Sequence, residues 1–179
     1  MALLMARLFH MTALRLLGAA MLLLAASGAH AAPSEYELKA AFIYQVAKFV
    51  EWPASNAPLR LCVIGGNPFG AALETVRGKA VNARKLEIVQ IDAAADPREC
   101  HLLFIAAGAE RNLERINAIA RGTGILTLGD TEGFARRGVM VNFYLENDKV
   151  RFEINLESAR QGGLNISSRL LALARIVGS

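Results

Sequence analysis

The residues whose types and spacing could do chemistry are Cys62, Cys100 and His101, with two close carboxylate pairs, Asp130 with Glu132 and Glu146 with Asp148. A hydrolase triad needs a base beside a nucleophile. His101 instead opens an apolar run, His-Leu-Leu-Phe-Ile, and reads as a core or strand-edge histidine. Zinc takes four ligands, or three and a water; Cys62, Cys100 and His101 would supply three, but neighbours 100 and 101 on a strand point to opposite faces. The carboxylate pairs fall in turns, where solvated acids are ordinary. Gly65-Gly66-Asn67-Pro68-Phe69-Gly70 follows a strand and opens a helix, a setting in which backbone amides cradle phosphate. It has neither the Gly-x-Gly-x-x-Gly order nor a Gly-Lys-Ser/Thr ending. The pattern assigns no catalytic, cofactor-binding or metal-binding residue and points to a binding protein, not an enzyme.

The other two histidines, His10 and His30, lie in a segment that reads as an export signal. Arg7 and Arg15 stand in a leader without acids, Leu16 to Ala26 form an apolar run, and Ala29-His30-Ala31 offers the small-x-small pattern of a signal peptidase site. The expectation is a signal peptide over residues 1–31, cleaved near Ala31, in preference to an uncleaved anchor, which wants roughly 20 apolar residues. Residues 1–61 hold no cysteine, which argues against a lipoprotein. The product is expected in the bacterial periplasm. Residues 32–179 are then one domain, with a core of useful size. Without Arg7 and Arg15, 18 of the 20 basic residues face 16 acids, a balance without the electrostatic footprint of a nucleic-acid binder. In an oxidising compartment Cys62 and Cys100 are most simply a disulfide, the other reading being two buried thiols on different strands.

Ser34-Glu35-Tyr36-Glu37 has the spacing of a capping box. The helix it predicts carries Leu38, Ala41, Phe42, Val46 and Phe49 as its apolar stripe and ends at Trp52-Pro53. Strands are expected at Leu59–Ile64, Leu86–Ile91, His101–Ala106 and Ile125–Leu128, with helices from Asn67 to about Arg77 and from Glu110 to Arg121. Repeated strand-helix-strand units favour a parallel sheet flanked by helices. After Gly138, strands Val139–Leu145 and Val150–Ile154 flank Glu146-Asn147-Asp148-Lys149 as a C-terminal β-hairpin. Leu156–Gln161 and Ser167–Val177 read as closing helices. The fold class is α/β: a single-domain sandwich with a mixed, mostly parallel sheet.

Several blocks resemble the YfiR-like family of periplasmic regulators: Glu37 to Tyr44 with Lys48 to Pro53, Leu61 to Gly65 with Pro68 to Gly70, Cys100 to Ile105, Gly124 to Asp130, Val141 to Phe143, Val150 to Asn155, and Gly163 to Leu171. The resemblance covers nearly all of the chain after residue 31, in the family's order. It implies a small α/β periplasmic protein, a possible homodimer, that represses an inner-membrane diguanylate cyclase by binding its periplasmic sensor region. Cyclic-di-GMP and biofilm formation then fall, and an outer-membrane lipoprotein is a possible second partner. It also implies a Cys62–Cys100 disulfide, while a second cysteine pair known in the family is missing from residues 101–179. Partner contacts carried over by position are Phe143, Phe152, Glu153 and Asn155. The alternative is a periplasmic small-ligand sensor using the crevice at the carboxyl ends of the strands, near Gly65–Gly70 and Gly129–Gly133.

Overall fold

Ser34 starts the first helix as its spacing predicts. Its Oγ accepts the Glu37 N–H at 3.3 Å while Glu37 Oε2 accepts the Ser34 N–H at 2.6 Å, and helix α1 follows over Glu35–Lys48. The computed structural model describes residues 32–178, so the expected signal peptide over 1–31 lies outside the described residues. The buried stripe of α1 is Ala40, Ile43, Val46 and Ala47, rotated from the expected one, with Ala41 exposed. The helix stops at Lys48, before Trp52-Pro53. Val50 there leaves the helix to bridge to Ile166, and the Trp52 indole N–H folds back onto the Ala47 carbonyl at 2.7 Å.

The sheet has eight strands: β1 Leu59–Ile64, β2 Ala80–Val81, β3 Arg84–Ile91, β4 Leu102–Ile105, β5 Leu126–Gly129, β6 Val141–Glu146, β7 Lys149–Asn155 and β8 Arg175–Val177. Their spatial order is β2-β3-β1-β4-β5-β6-β7-β8. Strands β3, β1, β4, β5 and β6 run parallel; β2 pairs antiparallel with β3 and β7 antiparallel with β6, while β8 is parallel to β7. This is the expected mixed, mostly parallel α/β sheet. Register aligns Val63, Phe104, Leu128, Val141 and Ile154 in one row, all buried, and Ile176 ends it. Side chains alternate across a sheet, so Phe143 and Phe152 share that row's face. Helix α1 covers it through Phe42, whose ring centroid lies 6.4 and 5.9 Å from theirs. Helix α2, Leu113–Ala120, buries Leu113, Ile116 and Ala120 and reaches the other face. Its Asn117 donates to the Arg137 carbonyl, in the same turn whose Ala135 carbonyl is held by Asn155 from β7.

Local chemistry revises four expected elements. Asn67 makes only a local turn, its Oδ1 accepting the Phe69 N–H at 3.0 Å; Gly70 at φ +54° follows, and the expected helix is reduced to a 3-10 turn over Ala72–Thr75 that starts from Ala71 without a side-chain cap. The expected helix from Glu110 begins as a 3-10 turn over Ala107–Asn112. Glu146 pairs with Lys149, so the hairpin loop is two residues, Asn147 and Asp148, at φ 51° and 57°. Two left-handed residues make the tight turn whose twist matches the strands. Finally, helix α3 spans Leu156–Gln161 as expected, but α4 spans only Ser168–Leu171, and Arg175–Val177 joins the sheet as β8. Ile176 lies beside Ile154 there, and Arg175 beside Glu153.

Cys62 of β1 and Cys100, just ahead of β4, form a disulfide with Cα atoms 5.8 Å apart. It closes a loop of 38 residues, worth about 4 kcal/mol on the chain-entropy estimate. Replacing both cysteines with serine should therefore preserve the far-ultraviolet circular dichroism spectrum while lowering unfolding stability in urea by about 2–4 kcal/mol. An unchanged urea midpoint would show that the bridge does not restrain the unfolded chain.

Candidate functional site

β5 ends on Gly129 because nothing larger fits: a Cβ there would lie 2.8 Å from a Phe134 ring carbon and 3.3 Å from Asn142 Oδ1. β6 runs past that end, and the gap left beyond β5 is a crevice of about 560 Å³. Its walls come from α1 (Glu35, Lys39), the segment after β5 (Asp130, Glu132, Gly133, Arg136), β6 (Asn142 to Leu145), Glu153 of β7 and Arg175 of β8.

Three ion pairs, two of them made by Lys39, hold these walls. Lys39 is only 3% exposed, and its Nζ lies 2.7 Å from Asp130 Oδ2 and 2.5 Å from Glu35 Oε1. An ammonium withdrawn from water needs such partners. Burial pushes the Lys39 pKa down, yet the hydrogen bonds to Asp130 and Glu35 outweigh it, and the net shift is upward. The Tyr36 hydroxyl donates to the same Asp130 oxygen at 3.0 Å, and its ring lies 4.5 Å from the ammonium. Burial first, then the Asp130 charge, raises the Tyr36 pKa. On the far wall Arg175 gives two donors, at 2.5 and 3.1 Å, to one oxygen of the buried Glu153. The Arg175 guanidinium stacks 4.2 Å over the Tyr144 ring. Asn142 donates to Thr131 O at 3.0 Å and to Glu153 at 3.4 Å. Such a surface can grip polar and charged groups of either sign; it offers no nucleophile with a base beside it.

The residues named from sequence divide between interior and crevice. Phe143 and Phe152 are core rings, 0% and 6% exposed, whose centroids lie 6.4 Å apart. Asn155 is also interior: its Oδ1 caps α3 by accepting the Ser158 N–H at 2.8 Å, and its amide donates to Ala135 O at 2.7 Å. The inward-facing positions of β6 and β7 impose the burial of Phe143 and Phe152, so the accessible surface of the hairpin comes from Tyr144 and Arg151 on the other face and from Leu145, which shares the face of Phe143 but lies near the tip. Glu153, although buried, reaches the crevice wall. Asp130, read as a solvated turn acid, is instead the partner of a buried lysine, 91 residues away in sequence. Lys39, Tyr36, Tyr144 and Arg175 carry no sequence signal beyond their types. Gly65 packs its backbone against Ala109, where a Cβ would come within 2.4 Å of the Ala109 nitrogen, which explains that glycine without a phosphate. The disulfide also removes Cys62 and Cys100 from any ligand set.

Removing one member of a buried pair strands the other. Lys39→Met should cost about 3–5 kcal/mol in urea unfolding, and the double variant Lys39→Met/Asp130→Asn should recover part of it. A loss in the double variant equal to the sum of the Lys39→Met and Asp130→Asn losses would mean that the pair itself carries no coupling. Because the Lys39 pKa is raised on folding, its contribution is complete below the ordinary lysine value and fades only as pH climbs through the folded one.

Among the described residues no helix is long and apolar enough to cross a membrane. The fold is similar to the crystal structure of a conserved domain protein from Vibrio cholerae O1 biovar El Tor, with a TM-score of 0.54 at 14% identity. That match covers 80% of this chain, and the chain spans 60% of the other's length. At this identity the likeness speaks for the fold alone. The family model described as YfiR/HmsC-like matches residues 36–175, from the first turn of α1 to the first residue of β8. The chain therefore belongs to the YfiR/HmsC-like family, known for periplasmic regulators in cyclic-di-GMP signalling.

Proposed function

We propose that this protein is a periplasmic regulatory binding protein that represses an inner-membrane diguanylate cyclase through its periplasmic sensor region, lowering cyclic-di-GMP and biofilm formation. The family match over residues 36–175 carries the reading. In it, residues 1–31 are the export signal, residues 32–179 are the working domain, and the protein is not an enzyme. The partner must span the membrane, since the regulated chemistry lies on its other side. An outer-membrane lipoprotein that sequesters the repressor, and a homodimer, belong to the same proposal.

The contact surface in this reading is the crevice rim and the exposed end of the hairpin. Tyr144 and Arg175 supply a stacked, rigid pair, Glu153 supplies charge, and Leu145, 53% exposed, supplies an apolar anchor. Interfaces draw most of their energy from a few such residues. Phe143, Phe152 and Asn155 then act from behind, fixing the strands that present this surface.

Deleting the gene should raise cellular cyclic-di-GMP; an unchanged level with the cognate cyclase expressed would sink the proposal. Leu145→Asp, at an exposed position, should leave the unfolding midpoint nearly unchanged while weakening capture of the cyclase's periplasmic region about tenfold or more. Full capture by that variant would move the contact elsewhere. A second reading, a small-ligand sensor, draws support from the crevice volume, about 560 Å³, which lies within the usual range for such sites. Of the two glycine segments expected to line it, only Gly129–Gly133 does so. A reproducible rise in melting temperature with an amino acid or vitamin would favour this reading.

A further inference from the structure

His101 stands where two hydrogen-bond donors converge. The backbone N–H of Arg60 donates to its Nδ1 at 3.2 Å, and Nη2 of Arg84 lies 2.7 Å from its Nε2. A neutral imidazole has one acceptor nitrogen, so it satisfies one of these donors and tolerates the other; an imidazolium, with N–H on both nitrogens, would oppose both. Arg84 has little freedom to retreat. It is 6% exposed, and its Nε and Nη2 hold the carbonyls of Ala57 at 2.7 Å and Pro58 at 2.9 Å.

The charged groups facing the ring come from three elements. Arg84 and Glu87 come from β3, Arg60 from β1, and Glu99 from the turn before β4. Arg60 already draws both acids, with Glu99 at 2.6 Å and Glu87 at 3.8 Å. Trp52 packs against another side of the ring in a T-shaped contact, the centroids 6.3 Å apart. Burial, then Arg84 and Arg60, holds the imidazole below the ordinary histidine range. A shallow cleft lined by Ala57, Pro58, Arg60, Glu87, Glu99 and His101 opens the ring to water and so to protons.

We propose that His101 is an acid-sensitive latch on the segment from Trp52 to Pro58, closed while the ring is neutral and released when it takes a proton. The proton comes from water and occupies the lone pair of the ring's acceptor nitrogen, turning that acceptor into a donor. The contact accepted there is lost, and the new charge faces the Arg84 guanidinium. Displacing Arg84 frees the Ala57 and Pro58 carbonyls, which tie this connection to β3. The released form binds the proton more readily than the closed form. The closed form is therefore fully favoured above the ordinary histidine pKa, and the opening equilibrium grows up to about tenfold per pH unit below it until the closed form itself titrates.

Trp52 is the chain's single tryptophan, so its emission and its quenching by acrylamide report on this segment in the full-length protein. Lowering the pH from about 7.5 to 4.5 should produce a reversible change in both, with a midpoint below the ordinary histidine value. His101→Gln keeps an acceptor for the Arg60 N–H but cannot take the proton, and should lose the change. An identical transition in that variant, or none in the wild-type chain, would overturn the proposal. Should the variant fail to fold, hydrogen exchange of the wild-type Arg60 amide decides. Its protection, corrected for the intrinsic pH dependence of exchange, should fall on acidification; constant protection would reject the latch.

Discussion

Lys39 has its ammonium almost wholly out of water, and that fixes where the first helix can lie. The charge is tolerable only against carboxylates, and the two it meets are Glu35 in its own helix and Asp130 beyond the end of β5. Once this contact is made, the rotation and axial position of α1 on the sheet are set. Phe42 then falls on Phe143 and Phe152, and Tyr36 meets both Asp130 and the edge of Phe69. The same contact turns the end of β5 from a loop into a wall. A hydrophobic face alone would let the helix slide, since burial is non-directional, whereas a buried ion pair admits few geometries.

The opposite wall follows the same logic at the C-terminal edge of the sheet. β8 is three residues long, and edge strands of that length contribute little pairing of their own. Arg175 spans from β8 to Glu153 of β7, and stacking on Tyr144 spreads the attachment to β6. Exposure of the guanidinium limits what the ion pair adds to stability. Its geometric effect is larger, for it orients three strands around the crevice mouth.

How much of this was legible depends on whether the signal was local. The capping box at Ser34, the apolar run Leu59–Ile64 and the hairpin after Gly138 are encoded within a few residues; the first two appear as expected, and the hairpin appears with a shorter loop. The α/β class follows from their order. The β8 strand was unreadable because Ser167 to Val177 carries the composition of a helix, while its true partner, β7, lies twenty residues earlier and offers an edge to complete. The interior places of Phe143 and Phe152 follow from strand parity, which fixes that alternate residues point inward but not which alternate set; Asn155, of the opposite parity, is held inside by the Ser158 N–H and the Ala135 carbonyl. Asp130 was misread for a related reason. A carboxylate in a turn is ordinarily solvated, and only the folded chain brings a lysine 91 positions away within reach.

The parallel strands give the molecule two chemically different ends. Their carboxyl ends carry the crevice with Asp130; their amino ends carry the disulfide, Arg60 and His101. Strands packed in a dense core are poor candidates for passing a displacement between these ends, since their neighbours hold them on both faces. Helix α1 is differently placed. It begins with Glu35 and Lys39 at the crevice and runs about 20 Å to its last turn, where the Ala47 carbonyl accepts the Trp52 indole N–H and Trp52 in turn lies against His101. A helix of this length moves as a rod, and its two attachments are an ion pair at one end and an aromatic edge contact at the other. Of these the aromatic contact is the weaker. Any change that begins beside His101 therefore meets the softer anchor first, and the Lys39–Asp130 pair is the point about which α1 would have to pivot for that change to reach the crevice.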